Sequence, residues 1–148
     1  MMSHIDYPAL TPRVAVYALV GHDARLVVVE DRARRVDVLP GGIVRAGEPV
    51  EQALRRSLLD QLGVTEMQMD FCAVVEHGAT DRRDSVASEV AFLFDMTLAN
   101  ADQLVGIAAR SYRWTSEHEL ISLHPKAIRD LLVNNRLSLD HPWWAWTP

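Results

Sequence analysis

Apolar residues change their spacing several times along this chain, and each change marks an expected element. Residues 13–20 (RVAVYALV) and 25–30 (RLVVVE) are rich in β-branched and aromatic side chains and are separated by Gly21-His22-Asp23-Ala24. Two such runs around a short polar turn predict a pair of strands. Their near-continuous apolar character predicts central strands with both faces covered. A third, shorter strand is expected at 36–39, ended by Pro40 and the paired Gly41 and Gly42. There the period becomes four: Val50, Leu54, Leu58 and Leu62 make the apolar row of a helix laid on a sheet. Gly63 stands where the left-handed residue that ends a helix belongs.

Strands are expected again at 67–76 (MQMDFCAVVE) and 88–98 (SEVAFLFDMTL), on either side of the polar loop 77–85 (HGATDRRDS). Residues 111–115 (SYRWT) read as a short strand, and Ser116 with Glu119 has the spacing of a capping box. Pro125 suits the first turn of a helix at 126–133 whose apolar face is Ala127, Ile128, Leu131 and Leu132. Residues 1–12, with two prolines, read as an irregular arm. The tail 135–148 carries Trp143, Trp144 and Trp146, which should cover a core edge, a ligand cleft or a second copy of the chain in a homodimer.

With 148 residues, 49% hydrophobic and 24% charged, the chain fits one domain spanning 1–148. A net charge of -5 argues against DNA, RNA or an anionic membrane as partner. Arg32, Arg34 and Arg35 form a local basic cluster that reads as a solvated loop. Cys72 is the only cysteine, so no intramolecular disulfide is possible and a cytoplasmic location is expected. No segment reaches the length of a membrane span.

Residues 42–64, GIVRAGEPVEQALRRSLLDQLGV, place Gly42, Glu48, Arg56, Leu58, Gly63 and Val64 in register with G-x5-E-x7-R-E-U-x-E-E-x-G-U, where U is aliphatic. The stretch resembles a Nudix box, and the resemblance extends over residues 13–133. It implies an α/β fold, an α/β/α sandwich with a mixed β-sheet between helices. It also implies a Mg2+- or Mn2+-dependent pyrophosphohydrolase acting on a nucleotide-derived small molecule, a nucleoside diphosphate linked to another moiety. By the same resemblance Glu48 and Arg56 pair to brace the loop against the helix, and the Gly41 carbonyl helps hold the metal. Glu89 and Glu76 match a region from which an acid approaches the metal or positions the attacking water. The candidate catalytic residues are therefore Glu48, Arg56, Asp60 and Gln61, and the candidate metal ligands Gly41, Asp60 and Glu89.

The box departs from the family at its three metal-binding glutamates, which are Ser57, Asp60 and Gln61 here. At i, i+3 and i+4 these share one flank of the helix beside the apolar row. One carboxylate survives. Magnesium is often held by one or two carboxylates together with substrate phosphates, so a weakly bound or substrate-assisted ion is what this set allows. Changes even behind the ligands of a metal site cost roughly 10 to 100-fold, and losing two ligands should cost at least that. Two functions follow: a weak hydrolase, in which Glu89 joins Asp60 to rebuild the site, or an inactive module that binds a nucleotide or a protein partner. His77 reads as a surface loop residue.

Overall fold

The computed structural model describes residues 12–78, 88–98, 104, 112–138 and 140–145. The first two apolar runs form β1 (Arg13–His22) and β2 (Arg25–Asp31), an antiparallel hairpin in which His22 lies opposite Arg25. Asp23 and Ala24 at its tip both have positive φ. A two-residue loop needs that backbone to match the twist of its strands. β3 (Val36–Val38) runs antiparallel to β2, and β4 (Gly41–Ile43) turns back to pair with β1. Helix α1 (Val50–Leu62) follows and stops at Gly63, whose φ is 69° and whose N–H donates to the Leu59 carbonyl at 3.0 Å.

β5 (Met67–His77) and β6 (Glu89–Leu98) form a long antiparallel pair, and β6 lies parallel to β1 from Arg13 to Val20. β7 (Tyr112–Ser116) pairs with β2, and a 3-10 segment (Glu117–Ser122) leads to β8 (Leu123–His124) beside β3. Helix α2 (Lys126–Val133) and a two-residue strand β9 (Trp143–Trp144), parallel to β5, complete the described elements.

Strand alternation on β1 separates two cores. Val16, Ala18 and Val20 pack with Ala53, Leu54, Leu58 and Leu62 of α1. Leu19 packs on the other face with Ala91 and Leu93 of β6 and with Ile128 and Leu131 of α2, and Tyr17 borders that cluster. The result is the expected α/β/α sandwich with a mixed sheet between helices. The four-residue period of the box is thus cashed in as burial: Leu54, Leu58 and Leu62 are each 0% exposed. Truncating such a side chain typically costs about 2–5 kcal/mol.

Three local expectations change. Ser116 makes no capping bond to the backbone; its Oγ donates to the Glu119 carboxylate at 3.0 Å, and the segment is 3-10. Pro125 stands just before α2, at its N-cap, and not inside the first turn. His77 belongs to β5 and is buried, because β5 extends one residue beyond its polar boundary. Trp143 is half exposed, and Trp144 packs against the second core. The arm up to residue 11, Trp146 and loop residues 79–85 lie outside the described residues.

Candidate functional site

The glycine turn and α1 meet through Glu48 and Arg56. Arg56 Nε donates to Glu48 Oε2 and Arg56 Nη2 to Glu48 Oε1, both at 2.9 Å, while Nη2 also reaches the Ile43 carbonyl at 3.2 Å. The Arg45 N–H donates to the same carboxylate at 3.2 Å. This two-pronged pair is among the stronger polar contacts available to a protein, and it ties the loop to the helix. The guanidinium holds the Glu48 carboxyl down at about 2, well below its ordinary 4.5. Glu48 and Arg56 therefore act as a brace, and the geometry assigns them no proton-transfer task.

Gln61 reaches across from the last turn of α1 to Gly41. Its Oε1 accepts the Gly41 N–H at 2.9 Å and its Nε2 donates to the Gly41 carbonyl at 2.8 Å. One carboxamide thus engages both polar groups of one residue, with its oxygen as acceptor and its NH2 as donor. The turn has no room to slide away from this clasp. Gly41 has φ of 142°, and a Cβ there would sit 2.0 Å from the Val16 carbonyl oxygen. Ser57 is buried one turn earlier, and a Cβ on Gly42 would lie 3.5 Å from its Oγ.

These residues do not fit a divalent cation as they stand. Such ions take oxygen ligands, with carboxylates supplying the charge. The Gly41 carbonyl, which the resemblance makes a metal ligand, accepts here from the Gln61 amide N–H. Ser57 brings no charge, and Asp60, on the exposed flank of α1, brings the only carboxylate. Among the described residues no group of three His, Cys, Asp or Glu could hold a metal.

Glu89 stands on the face of the sheet opposite α1, the helix that carries Asp60. It is 1% exposed and lies at the start of β6, opposite Arg13 of β1 and His77 of β5. Alternation puts it on the face of Ala91 and Leu93, away from α1. Its carboxylate accepts from Arg13 Nε at 3.1 Å and the Tyr17 hydroxyl at 3.5 Å, and lies 2.6 Å from His77 Nε2. His77 Nδ1 lies 3.3 Å from the Gly78 carbonyl. Burial, reinforced by the Glu89 charge, pushes the Tyr17 phenol well above its usual range, so its proton stays in place. Glu76 is half-buried on β5. The reading of His77 as a surface residue fails because strand pairing brings a carboxylate twelve positions away onto its ring. Local sequence carries no signal for that contact.

Two other sequence features resolve simply. Arg34 turns back on its own loop, its N–H donating to Asp31 at 3.2 Å. Arg113 Nη1 donates to Asp37 Oδ1 at 2.8 Å, linking β7 to β3 across β2.

The second feature of the surface is a cleft of about 390 Å³ on the α2 side, bounded by the end of β5, the start of α2 and the C-terminal strand. Val75, Ala127 and Leu131 supply its apolar walls, with Lys126, Arg136 and Trp144 around them. Its volume falls in the range of small-molecule sites.

A mixed sheet between helices, with a glycine turn locked to an amphipathic helix by a Glu–Arg pair, defines a class of loop-helix α/β/α sandwiches. The NUDIX domain profile matches residues 9–134, and the chain belongs to that family. Solved structures with the same fold include a MutT protein from Methanosarcina mazei Go1, 23% identical with a TM-score of 0.65, over 84% of this chain and 93% of that one. The dihydroneopterin triphosphate pyrophosphohydrolase of E. coli is 16% identical with a TM-score of 0.68, over 84% and 96% of the two chains. A MutT NUDIX hydrolase from Burkholderia pseudomallei is 20% identical with a TM-score of 0.60, over 85% and 98%. No match was found among curated protein sequences. No helix among the described residues is long and apolar enough to cross a membrane.

Proposed function

We propose that this protein binds a nucleotide-derived small molecule, a nucleoside diphosphate linked to another moiety, and that Mg2+- or Mn2+-dependent pyrophosphate cleavage by it is at most residual. The observation that carries this reading is the Gln61 clasp on Gly41. In a box of this kind an acid at position 61 would face the Gly41 carbonyl across a cation. Here the amide bridges the same gap with its own N–H. Membership of the NUDIX family supports a small nucleotide-like ligand. A second reading, slow substrate-assisted hydrolysis, draws on Asp60, the carboxylate left on the flank.

The test is an assay of nucleoside diphosphate derivatives with Mg2+ or Mn2+, using the natural protein, Asp60→Ala, and Ser57→Glu combined with Gln61→Glu. Binding without turnover in the natural protein, with cleavage gained only in the double variant, is the expected outcome. The gain should be at least about 10 to 100-fold, since disturbing even the groups behind a metal's ligands costs that much. Efficient turnover by the natural protein that vanishes in Asp60→Ala would replace this reading with the enzymatic one.

A further inference from the structure

We infer that the cleft beside α2 receives the anionic oxygen of a small organic ligand whose apolar body rests on Val75, Ala127 and Leu131, and that Trp144 and Arg136 of the C-terminal segment select it. The inference rests on reading the chain as a ligand-binding domain, but its evidence lies apart from the box. The indole Nε1 of Trp144 is a buried side-chain polar atom with no hydrogen-bond partner among the described residues. Buried polar groups are paired as a rule, and each exception calls for a cause. An indole N–H is a donor only, so what is missing is an acceptor.

The neighbours add to the same sign. The Arg136 guanidinium lies over the Trp144 ring, 5.1 Å from its centroid, and makes no ion pair among the described residues. Its side chain is exposed and stands at the rim of the cleft. Lys126 stands at the same rim, bonded to Asp130 at 2.6 Å. Glu76 and Asp130 also line the cleft, Asp130 engaged by Lys126, and the Trp144 indole and the Arg136 guanidinium are the donors that suit a carboxylate or a phosphate. Stacking on the indole does not suit the ligand, since Arg136 lies over the ring and His141 packs against it at 4.6 Å between centroids. The edge of the indole, and not its face, is what the ligand reads.

These selecting residues lie beyond the part of the chain that the family profile covers, which ends at residue 134. Trp144 is held by β9, in register with Val75 of β5, and the Val74 N–H donates to the Pro142 carbonyl at 2.8 Å. The tail thus places a donor beside a cleft otherwise built from the family fold.

The test follows the Trp144 Nε1–H signal by NMR, assigned through Trp144→Phe, while phenyl phosphate, benzyl alcohol and ADP are titrated into the full-length protein. Phenyl phosphate should move that signal saturably and benzyl alcohol should not. Trp144→Phe and Arg136→Ala should each weaken phenyl phosphate binding by about 10-fold, the worth of one hydrogen bond to a charged group. Both variants remove groups at the surface of the second core, and the retained Trp114 indole signal reports whether they are folded. An unmoved Trp144 signal, or an equal response to benzyl alcohol, overturns the inference. If ADP binds and shifts the Gly41 amide while Trp144 stays silent, the cleft proposal falls and the proposed function stands. If phenyl phosphate moves Trp144 but ADP binds nowhere, the proposed function falls and the cleft proposal stands.

Discussion

The turn at Gly41 and the cleft at Trp144 lie on opposite sides of the sheet and treat their polar groups in opposite ways. At Gly41 the donor and the acceptor are both closed by the Gln61 amide, and the glutamate brace beside them is closed by Arg56. At Trp144 a buried donor is left open. A closed site is stable alone and has little to gain from a ligand. An open one holds a deficit that only an incoming acceptor removes. The contrast teaches that the region carrying the family's motif need not be the region where this chain does its recognition.

The comparison can be broken most sharply at the turn. Gly41→Ala places a Cβ 2.0 Å from the Val16 carbonyl oxygen at a φ of 142°. Such a residue must unmake the turn, at a cost of about 3 kcal/mol or more. A urea midpoint equal to that of the natural protein would show that the turn is not fixed by its backbone.

Gln61→Glu keeps an acceptor for the Gly41 N–H but sets a carboxylate oxygen against the Gly41 carbonyl, where the amide now donates at 2.8 Å. Losing that bond and leaving the carbonyl facing a charge should cost about 2 kcal/mol. Added Mg2+ should recover part of the loss, because a cation can sit between two oxygens. Thermal melts with and without Mg2+ measure this, and a variant that melts like the natural protein in EDTA would mean the clasp holds nothing together.

The brace gives a smaller effect that depends on pH. The folded-state carboxyl of Glu48 titrates at about 2 against an ordinary 4.5. A lowered acid contributes stability that is complete above pH 4.5 and is lost as pH falls through 2. Arg56→Ala should therefore flatten the stability profile between those values, read from denaturation midpoints across the acid range. An unchanged slope would assign the acid sensitivity to other carboxylates.

The smallest change is expected at Trp144→Phe without ligand. It deletes an unsatisfied donor, a gain that offsets the packing lost with the larger ring, so stability should shift by less than about 1 kcal/mol. A loss of several kcal/mol would show that the indole is a structural plug with no donor to spare.

How far these two regions could be read in advance differs for a physical reason. What is local to α1 is legible: the Val50 to Leu62 row and the stop at Gly63 depend on spacing within one helix, while the Glu48 partner of Arg56 comes from the resemblance of the box. The departure at Gln61 was visible as well, but its consequence was not, since the amide meets a glycine twenty residues earlier. The contact between His77 and Glu89 is hidden from the sequence for the same reason. Their meeting is a matter of strand register between β5 and β6, and a shift of one residue would turn either side chain to the other face. The tryptophans of the tail announced burial, and one of the two described shows it. Which one depends on β9 docking against β5, a contact made far along the chain.

Because β9 meets β5 through only Val74 and Val75, the selecting wall of the cleft is attached at a seam and not woven into the sheet. Substitutions at the exposed positions of this segment, Arg136 among them, can re-tune which molecules enter while leaving the core under α1 untouched.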